Sequence, residues 1–93
     1  MYHEELYKKI VAYCINNRHI VIGWDSLSHE DRDHIYNIAR SVYETREKIC
    51  FGGSFVTAIC NNDLRSAVFT ADDTCSRAIS LFVRVYHNFH FYE

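Results

Sequence analysis

The sequence predicts an all-α fold: one small bundle of about four helices over residues 1–93, with a short extended segment near residues 19–24. Three observations predict it. The chain has no proline and three glycines, so it lacks the punctuation of a many-turned sandwich or barrel. Apolar residues recur at helical spacing through much of its length. The breaks between those stripes hold Asn, Asp, Ser and Gly, which must make every turn in a proline-free chain.

In the first segment Leu6, Ile10, Tyr13 and Cys14 fall on one helical face, with Glu4, Glu5, Lys8 and Lys9 opposite. Acids early and bases later suit the helix dipole, and Asn16-Asn17 is a plausible stop. Ile20-Val21-Ile22 is a β-branched run too short for more than an extended connector or a lone strand, and Gly23 breaks it. Ser28 then offers a natural N-cap, acids load the following turn, and Ile35, Ile38, Ala39, Val42 and Tyr43 form the clearest stripe in the chain. Gly52-Gly53 make the next break, and Ser54 is placed to cap a third helix from Phe55 to about Ala71. Asn61-Asn62-Asp63 interrupt its middle with poor helix formers. Asp72-Asp73-Thr74 is a turn that can cap a fourth helix beginning near Cys75. Residues 81–91 fit a strand's alternation as well as a helix; the helical reading is preferred through about Asn88, with His90–Glu93 as a loose tail.

Ninety-three residues allow one domain. Ten Lys plus Arg oppose twelve Asp plus Glu, a formal charge of −2. Nucleic-acid binders usually carry a basic excess, because phosphate neutralisation drives their association, so nucleic acid is not the expected partner. No apolar run approaches the ~20 residues of a membrane span, and the acidic start does not read as a signal peptide. A soluble, cytoplasmic protein is expected, with Cys14, Cys50, Cys60 and Cys75 reduced. Fourteen aromatics (seven Tyr, six Phe, one Trp) are many for so small an interior, which favours contact with a partner or a second copy.

Catalytic patterns are weak. His29 and His34 stand five apart, roughly 140° around a helix, so both cannot face one metal as in a zinc protease. His87 and His90 could share a face, but no nearby Cys or carboxylate completes a site except Glu93. The cysteines lack C-x-x-C spacing. Cys75 has Asp72 and Asp73 nearby, which oppose a thiolate, and no base positioned by sequence to activate it. No cofactor and no metal are therefore expected. Gly53 and Ser54, leading into a helix, are candidate ligand contacts, although the Lys and the longer spacing of a phosphate loop are missing.

One resemblance adds to this reading. Gly52-Gly53-Ser54-Phe55, Ala58-Ile59, Asn62-Asp63-Leu64, Ala71-Asp72-Asp73-Thr74 and the apolar run Leu81 to Tyr86 together resemble a stretch found in small tailed-bacteriophage proteins of no assigned activity. It covers about forty residues, less than half of the chain. Such sequences often place proline just before the glycines and after a closing Tyr-Asn, where this chain has Cys50-Phe51 and His87-Asn88-Phe89-His90. The resemblance implies a phage gene product with a helical second half.

The leading expectation is a non-catalytic phage accessory protein that binds a host or defence-system protein. Tyr36, Tyr43 and Phe91 are its candidate aromatic anchors, and Asn62, Asp63 and Asp72 its polar specificity groups. An oligomeric binder of a nucleotide signal is the alternative. A metal- or thiol-dependent enzyme using His87, His90 or Cys75 comes last.

Overall fold

A computed structural model describes residues 2–92, so Met1 and Glu93, the ends of the expected domain and tail, lie outside the described residues. Among the described residues the chain is all-helical, with six α-helices rather than about four: α1 Tyr2–Asn16, α2 His29–Arg46, α3 Ser54–Cys60, α4 Leu64–Thr70, α5 Asp73–Ser76 and α6 Ile79–Asn88. None of them is long and apolar enough to cross a membrane.

The two extra helices come from two breaks, one in each of the last two expected helices. The expected third helix divides at Asn61-Asn62-Asp63 into α3 and α4. Asn62 takes a left-handed φ of 57°, a conformation Asn tolerates better than most residues. The Asp63 carboxylate then accepts from the Ser66 N–H at 3.1 Å and caps the new helix. The expected fourth helix likewise divides, the single turn α5 being capped by Asp72 before α6 begins. Ser54 is the first helical residue of α3, and Gly53, in extended conformation, occupies the N-cap with no side-chain bond.

The expected extended segment near 19–24 is instead two 3-10 turns, Arg18–Ile20 and Trp24–Ser26. Among the described residues there is no strand for the β-branched run to pair with. Its Ile22 N–H donates to the Arg77 carbonyl at 3.0 Å, and Gly23 reverses the chain at φ 69°. The tail is not loose either. Phe89 is buried, while Phe91 packs edge-on against Tyr2, with ring centroids 5.3 Å apart, and accepts from Lys9 Nζ through its carbonyl at 3.1 Å.

The core is the meeting of the α1, α2, α3 and α6 stripes. Leu6, Ile10 and Cys14 of α1, Ile35, Ala39 and Val42 of α2, and Leu81, Phe82 and Val85 of α6 are all fully buried. Ser28 caps α2 as expected, accepting from the Asp31 N–H at 3.1 Å. At the other end of α2, Arg46 Nη1 donates to the Tyr86 carbonyl at 2.8 Å and satisfies an end group of α6.

The turn before α3 is set by space. A Cβ on Gly52 would stand 2.5 Å from Val56 Cγ1 and 2.6 Å from Val56 Cβ, whereas one on Gly53 would meet nothing within 4 Å. Val56 Cβ is anchored to the helix and cannot swing away. Gly52→Ala is therefore expected to cost about 1–3 kcal/mol as an overpacking change, and Gly53→Ala less than about 1 kcal/mol. Paired urea denaturation of the two variants checks this; equal losses would refute the described turn.

Candidate functional site

The α3–α4 break leaves several apolar side chains of α4 exposed to solvent. Because α4 is seven residues long and buries one of them, Ala67, most of its side chains stay outside. Leu64 and Val68, one turn apart, are 68% and 57% exposed, and Phe69 is 88% exposed. A small hollow of about 40 Å³ lies alongside, lined by Ile59, Asn62, Leu64, Ala67, Ile79 and Val83 among others. Asn62 and Asp63, both exposed, form its polar edge. In the loop before α3, Phe51 is 96% exposed. Isolated surface apolar residues are ordinary; a ridge with a polar margin is the form of a contact surface.

Of the candidate partner-binding residues, Asn62 and Asp63 are brought together here. Tyr36 and Tyr43 are not: both are buried in the core and cannot serve as surface anchors. Tyr36 lies beside Trp24, and Tyr43 stacks edge-on against Phe89 at 5.1 Å. Phe91 is half-buried against α1, and Asp72 is engaged elsewhere. The aromatic excess of the sequence is thus spent largely inside. Leu64, Val68 and Phe69 fall inside the expected continuous helix from Phe55 to about Ala71, and no local pattern in the sequence marks them as exposed.

Gly53 and Ser54 border an open hollow of about 540 Å³ whose other walls include Thr57, Asn61, Asp63, Ser66 and Thr70. Its lining holds a carboxylate and no Lys, Arg or His. That composition repels a phosphate group, so the alternative of a nucleotide signal has no cationic support at this place.

The third constellation joins residues far apart in sequence. His34 Nε2, one turn into α2, lies 2.8 Å from Asp72 Oδ2 and 3.6 Å from Cys75 Sγ. Asp72 is the N-cap of α5, and its other oxygen, Oδ1, accepts from the Cys75 N–H at 2.7 Å. Thr74 Oγ1 donates to Asp31 Oδ1 at 3.3 Å, a second tie between α5 and α2. Burial, with the neighbouring Asp72 carboxylate, pushes the Cys75 thiol up to about 12. Desolvation works to raise Asp72 as well, but hydrogen bonds from the Cys75 N–H and His34 outweigh it and leave the carboxyl below its ordinary value.

This cluster is not the relay of a thiol enzyme. A relay needs one imidazole nitrogen on the thiol and the other on the carboxylate; here both face Nε2. The thiol is also nearly inaccessible, at 2% exposure. Among the described residues these three form the one set of three His, Cys or acidic donors whose ligand atoms lie within 4.8 Å of one another. His87 and His90, the pair favoured by spacing, are both exposed and outside it. No sequence signal marked His34, since its partners lie 38 and 41 positions away.

Among the described residues, the all-helical fold carries an exposed apolar ridge on α4 and a convergent donor cluster between α2 and α5. Comparison of the chain with protein-family models, curated proteins and solved structures finds no match.

Proposed function

We propose that the protein is a non-catalytic accessory factor of a tailed bacteriophage that acts inside the host cell by docking on a host or defence-system protein. The observation that carries this reading is α4, a helix that gives Leu64, Val68 and Phe69 to solvent beside the polar pair Asn62 and Asp63. Protruding aliphatic and aromatic side chains of this kind fit an apolar groove on a partner, and flanking hydrogen-bond donors on that partner would pair with Asn62 and Asp63. The segment also lies within the stretch that resembles phage proteins.

The test is the native mass by light scattering, alone and after incubation with fractionated bacterial extract, followed by affinity measurement on the purified pair. A stoichiometric complex is expected, and Phe69→Ala should weaken it about 30-fold, the size of a binding hot spot. Because Phe69 is exposed, the same change should alter folding stability by less than about 0.5 kcal/mol. Unchanged affinity in Phe69→Ala would remove α4 from the interface. A doubled mass without extract, abolished by the same variant, would make the partner a second copy.

A further inference from the structure

We propose that His34, Asp72 and Cys75 bind one divalent transition-metal ion of the zinc type, with the fourth coordination position open to water. The convergence on a single nitrogen is the starting point. A neutral imidazole nitrogen offers either one N–H or one lone pair, and Nε2 meets both a carboxylate oxygen at 2.8 Å and a sulfur at 3.6 Å. As an N–H it serves Asp72, and the thiol then turns to the same carboxylate, so Asp72 is asked to accept from both. A cation set among the three atoms is served by all of them.

Two of the three donor edges can be set against tetrahedral zinc, and all three donor atoms lie within 4.8 Å of one another. Zinc–sulfur and zinc–nitrogen bonds of about 2.3 and 2.0–2.1 Å at a tetrahedral angle put sulfur and nitrogen about 3.5 Å apart, against the 3.6 Å between Cys75 Sγ and His34 Nε2. The matching nitrogen–oxygen edge is about 3.3 Å, so Asp72 Oδ2 must withdraw by about half an ångström from its present 2.8 Å. It has room, because the Asp72 side chain is 55% exposed. The supporting bonds are already made. Cys75 N–H holds Oδ1 and leaves Oδ2 for the ion, while the Thr74–Asp31 bond fixes α5 against α2.

One sulfur, one imidazole nitrogen and one carboxylate oxygen suit zinc and its cobalt surrogate, and do not suit magnesium or calcium, which take oxygen donors. Binding releases the thiol proton to solvent and moves the imidazole proton from Nε2 to Nδ1, so that thiolate and carboxylate balance the two positive charges. The ion pins the four-residue α5 to α2 and uses none of Leu64, Val68 and Phe69, so the proposal stands or falls independently of the partner reading.

Untagged, chelator-treated protein titrated with Co2+ tests it. A thiolate-to-cobalt charge-transfer band saturating at about one equivalent is expected from a single-thiolate site, and Zn2+ should bleach it. Cys75→Ser should abolish the band, and His34→Gln, at a partly exposed position, should weaken Co2+ binding about 10-fold or more with an unchanged helical circular dichroism spectrum. A missing band overturns the proposal, as does a band that survives Cys75→Ser and vanishes in Cys50→Ser, the exposed thiol. If Cys75→Ser does not fold, unchanged Co2+ affinity in His34→Gln overturns it alone.

Discussion

Phe82→Ala is expected to remove about 3–5 kcal/mol of folding stability, the largest loss from any single truncation in the chain. Phe82 is fully buried, and its ring meets Phe55 edge-on at 5.7 Å, which locks α6 to α3. Truncation leaves a ring-sized cavity between α3 and α6 in the middle of the core cluster. For a domain whose total stability is on the order of 5–10 kcal/mol, such a loss lowers the melting temperature by about 15–30 °C. The neighbour Val83, 41% exposed, provides the control: Val83→Ala should cost less than about 1 kcal/mol. Urea denaturation of both variants decides it. A loss below about 1.5 kcal/mol for Phe82→Ala would mean that α6 is not seated as described.

The second large effect is alkaline unfolding. Burial pushes the Cys14 thiol from 9.0 up to about 12. The folded state therefore keeps a proton that the unfolded chain releases. That contribution to stability is fully present below pH 9 and is lost as pH rises toward 12, at about 1.4 kcal/mol per pH unit. Across the whole window the loss is about 4 kcal/mol from this group. Tyr2, Tyr7, Tyr36 and Tyr43 are all raised, chiefly by burial, and add losses of the same sign once pH passes their ordinary value of 10.0. Urea midpoints should be level near neutrality and fall steeply above pH 9; the Cys75 thiol, also pushed up to about 12, and the raised Cys60 thiol add to the fall, so Cys14→Ala should remove only its own share of the part that precedes tyrosine ionisation. Level midpoints up to about pH 11 would contradict the burial of Cys14.

How much of this was legible in the sequence differs by element. α2 could be read in full, because a capping serine and a stripe of five apolar residues agree on one helix. In α6 the apolar run fitted two periods, and packing decided: Leu81, Phe82 and Val85 are the buried set, a helical and not an alternating one. The division at Asn61–Asp63 was visible as poor helix formers but not as a chain reversal. Whether a run of three polar residues is tolerated or breaks a helix depends on what the two halves can pack against, which is tertiary information. The fourth expected helix hid its break more completely, since α5 is a single turn.

The candidate sites follow the same rule. Asn62 and Asp63 were legible as polar residues where a helix falters, and they border the ridge. The ridge itself exists because the two short helices point Leu64 and Val68 outward, a consequence of the break. Tyr36 and Tyr43 were misplaced because aromatic count says nothing about side. The donor cluster was illegible for a topological reason: His34 belongs to the second helix and Asp72 and Cys75 to the fifth, and only their packing unites them.

The single indole of the chain sits at a place that makes it useful. Trp24 is buried in the connector between α1 and α2, with the Arg32 guanidinium 5.0 Å from its ring and an Arg32 bond of 2.9 Å to its carbonyl. Its fluorescence is therefore a local gauge of that junction, while circular dichroism averages over all six helices. Where the two signals part company on heating, the connector has opened before the bundle; where they coincide, the junction and the core melt as one unit.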